Sequence, residues 1–262
     1  MFLSIDVGNT QTTVGLFGDT GAFEHGWRMA TNRADTADEL RQRLYGFLQM
    51  DGYAQDVITD AGVASVVPVL SRAWQRAFAR AGAHEALIVT SHTTADMRID
   101  MPHPETLGAD RVANAVAARA TYGDPVIVVD FGTATNIDVV DKSGAYRGGV
   151  ISPGVMLSAS ALFDRAAKLS SVSIEAPEQT LGDTTAHAVQ SGLVVGAAAS
   201  AEGLVARIKE ELQIPEAQVV ATGGLARTVA EATQLFDAVD DDLTLRGIYL
   251  LWQWEMGIRP GA

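Results

Sequence analysis

Apolar and polar positions alternate from the start of the chain. Leu3, Ile5 and Val7 are spaced two apart with polar residues between them, the period of a strand. Thr13–Phe17 is a second β-rich run beyond the Gly8-Asn9-Thr10 turn, and Phe23 to Met29 completes a predicted meander. The period then changes. Thr36 with Glu39 three residues later forms a capping box, and Leu40, Leu44, Phe47 and Leu48 follow at helical spacing. Val57–Val67 reads as a buried strand, Pro68 suits the first turn of a second helix, and Ala86–Val89 reads as another strand. Helical spacing returns at about Ala109, through Val112 and Val116.

A second cycle opens at Val126. Val126–Asp130, Thr135–Val140 and Ala145–Ile151 read as strands, and Pro153-Gly154 breaks the pattern before helices at Val155–Lys168 and Thr185–Leu212. Val219–Thr222 is a late strand, Gly223-Gly224 precedes another helix, and Leu243–Met256 is the predicted terminal helix. The sequences Ile5-Asp6-Val7-Gly8-Asn9-Thr10 and Val129-Asp130-Phe131-Gly132-Thr133-Ala134-Thr135 share one grammar: strand, Asp-x-Gly, hydroxyl-rich turn, strand. Two such turns imply a duplicated α/β domain rather than a short-period solenoid. The expected halves are 1–115 and 116–262, with a terminal helix able to pack back on the first.

Composition narrows the function. With 262 residues, 47% hydrophobic and 19% charged, the chain is globular and long enough to bury a core without staples. It has no cysteine, which excludes disulfides, thiolate metal sites and a cysteine nucleophile, and fits a reducing compartment. A net charge of −13 with only three lysines (Lys142, Lys168, Lys209) argues against a nucleic-acid partner. No signal peptide is legible, and the uncharged stretch Ala188–Ala201 is too short to span a bilayer, so a cytoplasmic protein is expected. His25, His84, His92, His103 and His187 show no metal-ligand spacing, and the four tryptophans form no aromatic platform.

An Asp at a strand end followed by Gly and Thr has a use in phosphate chemistry. The Gly lets the backbone approach a phosphate, turn amides donate to it, and the Asp can hold Mg²⁺. A hairpin whose Asp only bonds turn amides is the plain alternative, and the second copy weighs against it. Gly108-Ala109-Asp110-Arg111 stands at a helix start. Asp110 there is either a first-turn acid favoured by the helix dipole or a general base for a substrate hydroxyl, with Arg111 as an anion clamp. Gly148-Gly149 with Pro153-Gly154, and Thr222-Gly223-Gly224, are glycine-rich strand-to-helix turns. Neither a P-loop nor Gly-x-Gly-x-x-Gly is present.

Taken in order, these motifs resemble a type III pantothenate kinase over essentially the whole chain. The connecting segments Gly62–Pro68, Arg111-Val112-Ala113-Asn114 and Asp242-Leu243-Thr244 are similar to the family as well. The resemblance implies a duplicated ribonuclease-H-like (actin-like ATPase) fold, with two mixed-sheet domains flanked by helices. It implies ATP-dependent phosphorylation of pantothenate, the first step of coenzyme A synthesis, by a homodimer using Mg²⁺ and a monovalent cation, K⁺ or NH₄⁺. By motif position, Asp6, Val7, Gly8, Asn9, Thr10, Gln11, Thr12 and Thr13 form the ATP phosphate loop, and Thr133 touches ATP. Gly108, Ala109, Asp110, Arg111 and Thr185 contact pantothenate, with Asp110 as the base. The resemblance assigns the monovalent cation to Asp130, while the chemistry of the first turn offers Asp6 for the Mg²⁺.

Two positions depart from the family. Met101 stands where many members have a substrate-contacting Tyr, and Asp183 stands where members often have a basic residue. The rival readings are another small-molecule kinase of the same fold and a non-catalytic regulatory relative. The first would lack the Gly-Ala-Asp-Arg loop, and the second predicts decay at Asp6, Asp110 or Asp130; the loop and all three carboxylates are present.

Overall fold

The computed structural model describes residues 1–81, 86–165 and 172–258. The chain divides into two units, Met1–Ala117 with the segment from Leu243, and Ala118–Asp242. The first unit opens with β1 (Phe2–Val7), β2 (Gln11–Phe17) and β3 (Phe23–Ala30), the meander that the alternation predicts. Helix α1 (Ala37–Met50), β4 (Asp60–Ser65), α2 (Pro68–Ala81), β5 (Leu87–Ile88) and α3 (Ala109–Tyr122) follow. The sheet order is β3-β2-β1-β4-β5, antiparallel through the meander and parallel from β1 to β4 and β5.

Alternation along β1 puts Leu3, Ile5 and Val7 on one face of the sheet. There they pack with Leu40, Leu44 and Leu48 of α1 and with Leu70, Trp74 and Phe78 of α2. Ser4 and Asp6 therefore point to the other face. The capping box is complete: the Glu39 amide donates to Thr36 Oγ1, and the Thr36 amide donates to Glu39 Oε2 at 2.8 Å. The strand expected over Val57–Val67 is shorter, because Gln55–Val57 forms a 3₁₀ turn before it. At its other end the Val67 amide turns onto Ser65 Oγ and leaves the ladder.

The second unit repeats the plan with β6 (Val126–Phe131), β7 (Ala134–Val140), β8 (Tyr146–Pro153), α4 (Val155–Arg165) and α5 (Thr185–Gln190). Next come α6 (Gly196–Leu212), β9 (Gln218–Thr222), α7 (Ala226–Ala230) and β10 (Ala238–Val239), the last not anticipated from the sequence. Its order, β10-β9-β6-β7-β8, is that of the first sheet read from the other edge. The correspondence reaches single residues: β1 and β6 have the same succession of buried and half-buried positions. Two mixed five-stranded sheets flanked by helices make a duplicated ribonuclease-H-like fold. The part of the expected Val155–Lys168 helix beyond Arg165 lies outside the described residues.

The expected helix over Thr185–Leu212 runs through both α5 and α6, but Ser191–Val195 between them is wound as a π-helix. By length and composition this 28-residue stretch could cross a membrane. In the fold one face of it reaches the core, where Val189, Leu193, Ala198, Ala201 and Val205 pack with Ile127, Val129 and Phe131 of β6, and a third of the apolar window is buried. The last helix, α8 (Leu243–Glu255), lies in the first unit, on the face of β1 that carries Ser4. Ser4 Oγ donates to the Leu245 carbonyl at 2.7 Å, and Phe2 packs against Tyr249 and Trp252.

Candidate functional site

The first Asp-x-Gly turn is built where β1 hands over to β2. Gly8 N donates to the Gln11 carbonyl at 3.0 Å, and Asp6 lies opposite Thr13 and beside Ala64 of β4. Asn9, Thr10 and Gln11 are exposed at the crest, while Thr12 is buried. The chain leaving β3 braces this turn. Thr31 N donates to the Thr10 carbonyl at 2.9 Å, the Thr12 and Thr31 hydroxyls meet at 2.9 Å, and Arg33 Nη2 donates to Asn9 Oδ1 at 2.9 Å. Asp35 fixes the brace from beneath, since its buried carboxylate accepts both Nη atoms of Arg43 and Nδ2 of Asn32.

The second turn occupies the same place between β6 and β7. Gly132 N donates to the Ala134 carbonyl at 3.0 Å, and Asp130 lies opposite Asn136 and beside Thr222 of β9. Glycine surrounds it. A Cβ on Gly223, whose φ is +93°, would stand 2.4 Å from Asp130 Oδ1. One on Gly154 would stand 2.3 Å from the Thr133 carbonyl. Thr133 is exposed and Thr135 buried. The glycines of the two weak strand-to-helix motifs thus press on one carboxylate turn.

Asp110 sits in the first turn of α3. Its Oδ1 accepts the Arg111 amide at 2.9 Å, and a Cβ on Gly108 would fall 2.6 Å from that same oxygen. Burial pushes the Asp110 carboxyl above the usual carboxylate range, against the opposing pull of the Arg111 amide and guanidinium. That environment suits a proton acceptor better than an ordinary surface Asp, because basicity rises with pKa.

Thr185 is exposed at the start of α5, beside the N-cap Thr184, whose Oγ1 accepts the His187 amide at 3.2 Å. Asp183, the departure from the family pattern, faces His187 Nδ1 at 2.8 Å, and this hydrogen bond holds its carboxyl below the usual range. Met101 is half-buried ahead of the 3₁₀ turn Pro104–Thr106. The second unit also has a groove of about 240 Å³ whose lining includes Thr135, Ser152, Ser158, Gly192, Gly196 and Ser200.

The sequence-predicted residues thus fall into two sets. Asp6 to Thr13 and Gly108 to Arg111 belong to the first unit; Asp130, Thr133 and Thr185 belong to the second. Among the described residues no group of three or more His, Asp or Glu side chains could hold a metal unaided. Single carboxylates at hydroxyl-rich turns instead suit ions whose shells are completed by phosphates and water. Arg33 escaped the sequence reading. The signal for it was the hairpin register, which pairs Gln11 with Ala30 and so returns residues 31–33 to the turn.

Comparison with known proteins fits this geometry. A model of the family described as type III pantothenate kinase matches residues 2–207. A type III pantothenate kinase from Agathobacter rectalis is 40% identical over 253 residues, covering 97% of each chain. Two solved structures share the fold at low identity. The activator of 2-hydroxyisocaproyl-CoA dehydratase from Clostridium difficile has a TM-score of 0.58 at 12% identity, covering 98% of this chain and 96% of its own. Component A of (R)-2-hydroxyglutaryl-CoA dehydratase from Acidaminococcus fermentans has a TM-score of 0.57 at 15% identity, covering 98% and 99%. With both turns and the Gly-Ala-Asp-Arg helix start in place, this chain belongs to the type III pantothenate kinase family.

Proposed function

We propose that the protein transfers the γ-phosphoryl group of ATP to the hydroxyl of pantothenate, giving 4′-phosphopantothenate for coenzyme A synthesis. The observation that carries the mechanism is Asp110, a carboxylate raised in basicity by burial at the first turn of α3, where its Oδ1 accepts the Arg111 amide at 2.9 Å. Asp110 accepts the proton of the attacking hydroxyl, and Gly108, Ala109, Arg111 and Thr185 orient pantothenate. Asp6 to Thr13 and Thr133 hold the phosphates through amides and hydroxyls. Phosphoryl transfer asks mainly for such positioning and charge stabilisation.

Mg²⁺, bound with ATP, neutralises phosphate charge; Asp6 is the residue that would hold it. Asp130 stands at a turn whose residues, Thr133 among them, carry neutral hydroxyl and carbonyl oxygens, a donor set that suits K⁺ or NH₄⁺. Mg²⁺ prefers a tight octahedral shell with retained waters. Asp130→Asn should weaken activation by K⁺ more than it weakens dependence on Mg²⁺. Initial rates against KCl, with an organic cation holding ionic strength, read this out, and a flat titration in desalted enzyme removes the assignment.

The second unit exposes Ile151 at the sheet edge with Met156, Leu157 and Leu162 on α4. Exposed apolar side chains in such number suit a contact surface, and a homodimer of a cytoplasmic enzyme is the assembly proposed. Leu157→Glu should shift the mass measured by light scattering from two chains toward one.

The deciding experiment is ADP release with pantothenate, with a panel of sugars as control. No release with pantothenate across metals and salts overturns the reading, and release with a sugar instead selects a different kinase. Asp110→Asn should lower kcat by about 10²-fold or more while ATP binding changes little. The wild-type rate should also fall as acid protonates Asp110.

A further inference from the structure

We propose that Arg33 is the phosphate-contacting cation of the first turn, meeting the polyphosphate of the nucleotide from the β3 side. The inference rests on reading Asp6–Thr13 as the phosphate loop, and it deepens that reading. Its ground is a difference between the two halves at equivalent backbone positions. In the second unit Gly154 leaves β8, donates to the Thr133 carbonyl at 3.2 Å, and helix α4 begins at the next residue. In the first unit Thr31 leaves β3 and donates to the Thr10 carbonyl at 2.9 Å, but Asn32–Thr36 intervene before α1. That inserted segment brings the Arg33 guanidinium onto Asn9, at the crest of the turn.

The segment is rigid by construction. Asn32 Oδ1 accepts the Ala34 amide at 3.1 Å, Asn32 Nδ2 donates to Asp35, and Asp35 is buried under the Arg43 fork. Thr36 then closes the capping box. A guanidinium carries five N–H donors in a planar fork. Arg33 directs one of its nitrogens to Asn9 and its side chain is exposed, so further donors face outward from the turn. A triphosphate needs such a charge. All three lysines of the chain fall between residues 118 and 242, so no lysine belongs to the first unit. Bidentate guanidinium–phosphate pairs are the stronger class of charge-assisted hydrogen bond.

The test compares nucleotides that differ in phosphate number. AMP, ADP and a non-hydrolysable ATP analogue are titrated calorimetrically with Mg²⁺ into the full-length wild type, Arg33→Gln and Arg33→Lys. Arg33→Gln should weaken the ATP analogue and ADP by about tenfold or more and AMP by less than about twofold. Arg33→Lys should recover part of the loss, and the KM for pantothenate should not move. Equal weakening of all three nucleotides would mean that Arg33 only braces the turn, and unchanged binding would mean that it meets no phosphate; either result overturns the proposal. The titration does not depend on the acceptor. A wild type that binds ATP but releases no ADP with pantothenate defeats the proposed function and leaves Arg33 still decided by the titrations. A wild type that binds no nucleotide defeats both.

Discussion

Between the paired residues Val7 and Thr12 the first turn has four residues, Gly8–Gln11; between the paired residues Phe131 and Thr135 the second has three, Gly132–Ala134. The longer turn is braced by side chains arriving from beyond β3: the Thr31 hydroxyl, the Arg33 guanidinium and, beneath them, the Asp35–Arg43 pair. The shorter one is enclosed by backbone, with Gly154 on one side and Gly223 on the other. After β4 the first unit enters the long helix α2, whereas after β9 the second passes through Gly223-Gly224 into the five-residue α7. One strand plan thus carries two differently held turns. Polar side chains brace the first turn, and close backbone approach holds the second.

The sharpest way to break the second turn is Gly223→Ala. Its φ of +93° and the 2.4 Å approach to Asp130 leave no place for a methyl group. We expect a loss of about 3 kcal/mol or more in urea denaturation, with the response to K⁺ lost as well. A variant as stable as wild type would show that the second turn is not held by backbone contact.

The braced first turn should fail more gently. Asp35→Ala leaves Arg43, which is 39% exposed, free to find water, so the cost should be about 2 kcal/mol rather than that of a fully buried pair. Its distinguishing mark is a weaker affinity for ADP, measured beside the denaturation curve. An unchanged ADP affinity would separate the Asn32–Thr36 segment from the phosphate turn.

The two hairpin ends differ too. Gly18 closes the β2–β3 connection onto Ala22, and Asp141 closes the β7–β8 connection onto Ala145. Burial works to raise the Asp141 carboxyl, but hydrogen bonds from Ser143, Arg147 and the Ser143 and Ala145 amides outweigh it and bring the pKa to about 2. A carboxyl depressed in the folded state contributes stability above its unfolded value near 3.8 and loses it as pH falls toward 2. Asp141→Asn should flatten the acid limb of stability against pH.

The smallest effect belongs to Gly132→Ala. The added methyl group would meet Asp130 Oδ1 at 3.4 Å and the Ala134 carbonyl at 3.5 Å, which are ordinary contacts. Stability should change by less than about 0.5 kcal/mol, and a large loss would move the tight approach from Gly223 to the turn itself.

The duplication could be read from the chain because its markers are local. Period-two runs around Asp6 and Asp130, the Thr36–Glu39 box and the Pro68 helix start are each set by a few neighbouring residues. Short-range sterics and capping hydrogen bonds act regardless of what lies across the sheet. The candidate carboxylates followed from those same turns. Arg33 reaches Asn9 across 24 residues only through the register of the β2–β3 hairpin, including its bulge at Leu16/Phe17. The raised pKa of Asp110 comes from burial, which no neighbouring residue specifies. The π-helical Ser191–Val195 and the assignment of α8 to the first unit likewise depend on what packs against what. Sequence thus determined which groups are present and on which element each stands. Tertiary structure decided which of them share a surface and how far each is removed from water, because desolvation and long-range hydrogen bonds exist only once the chain has folded.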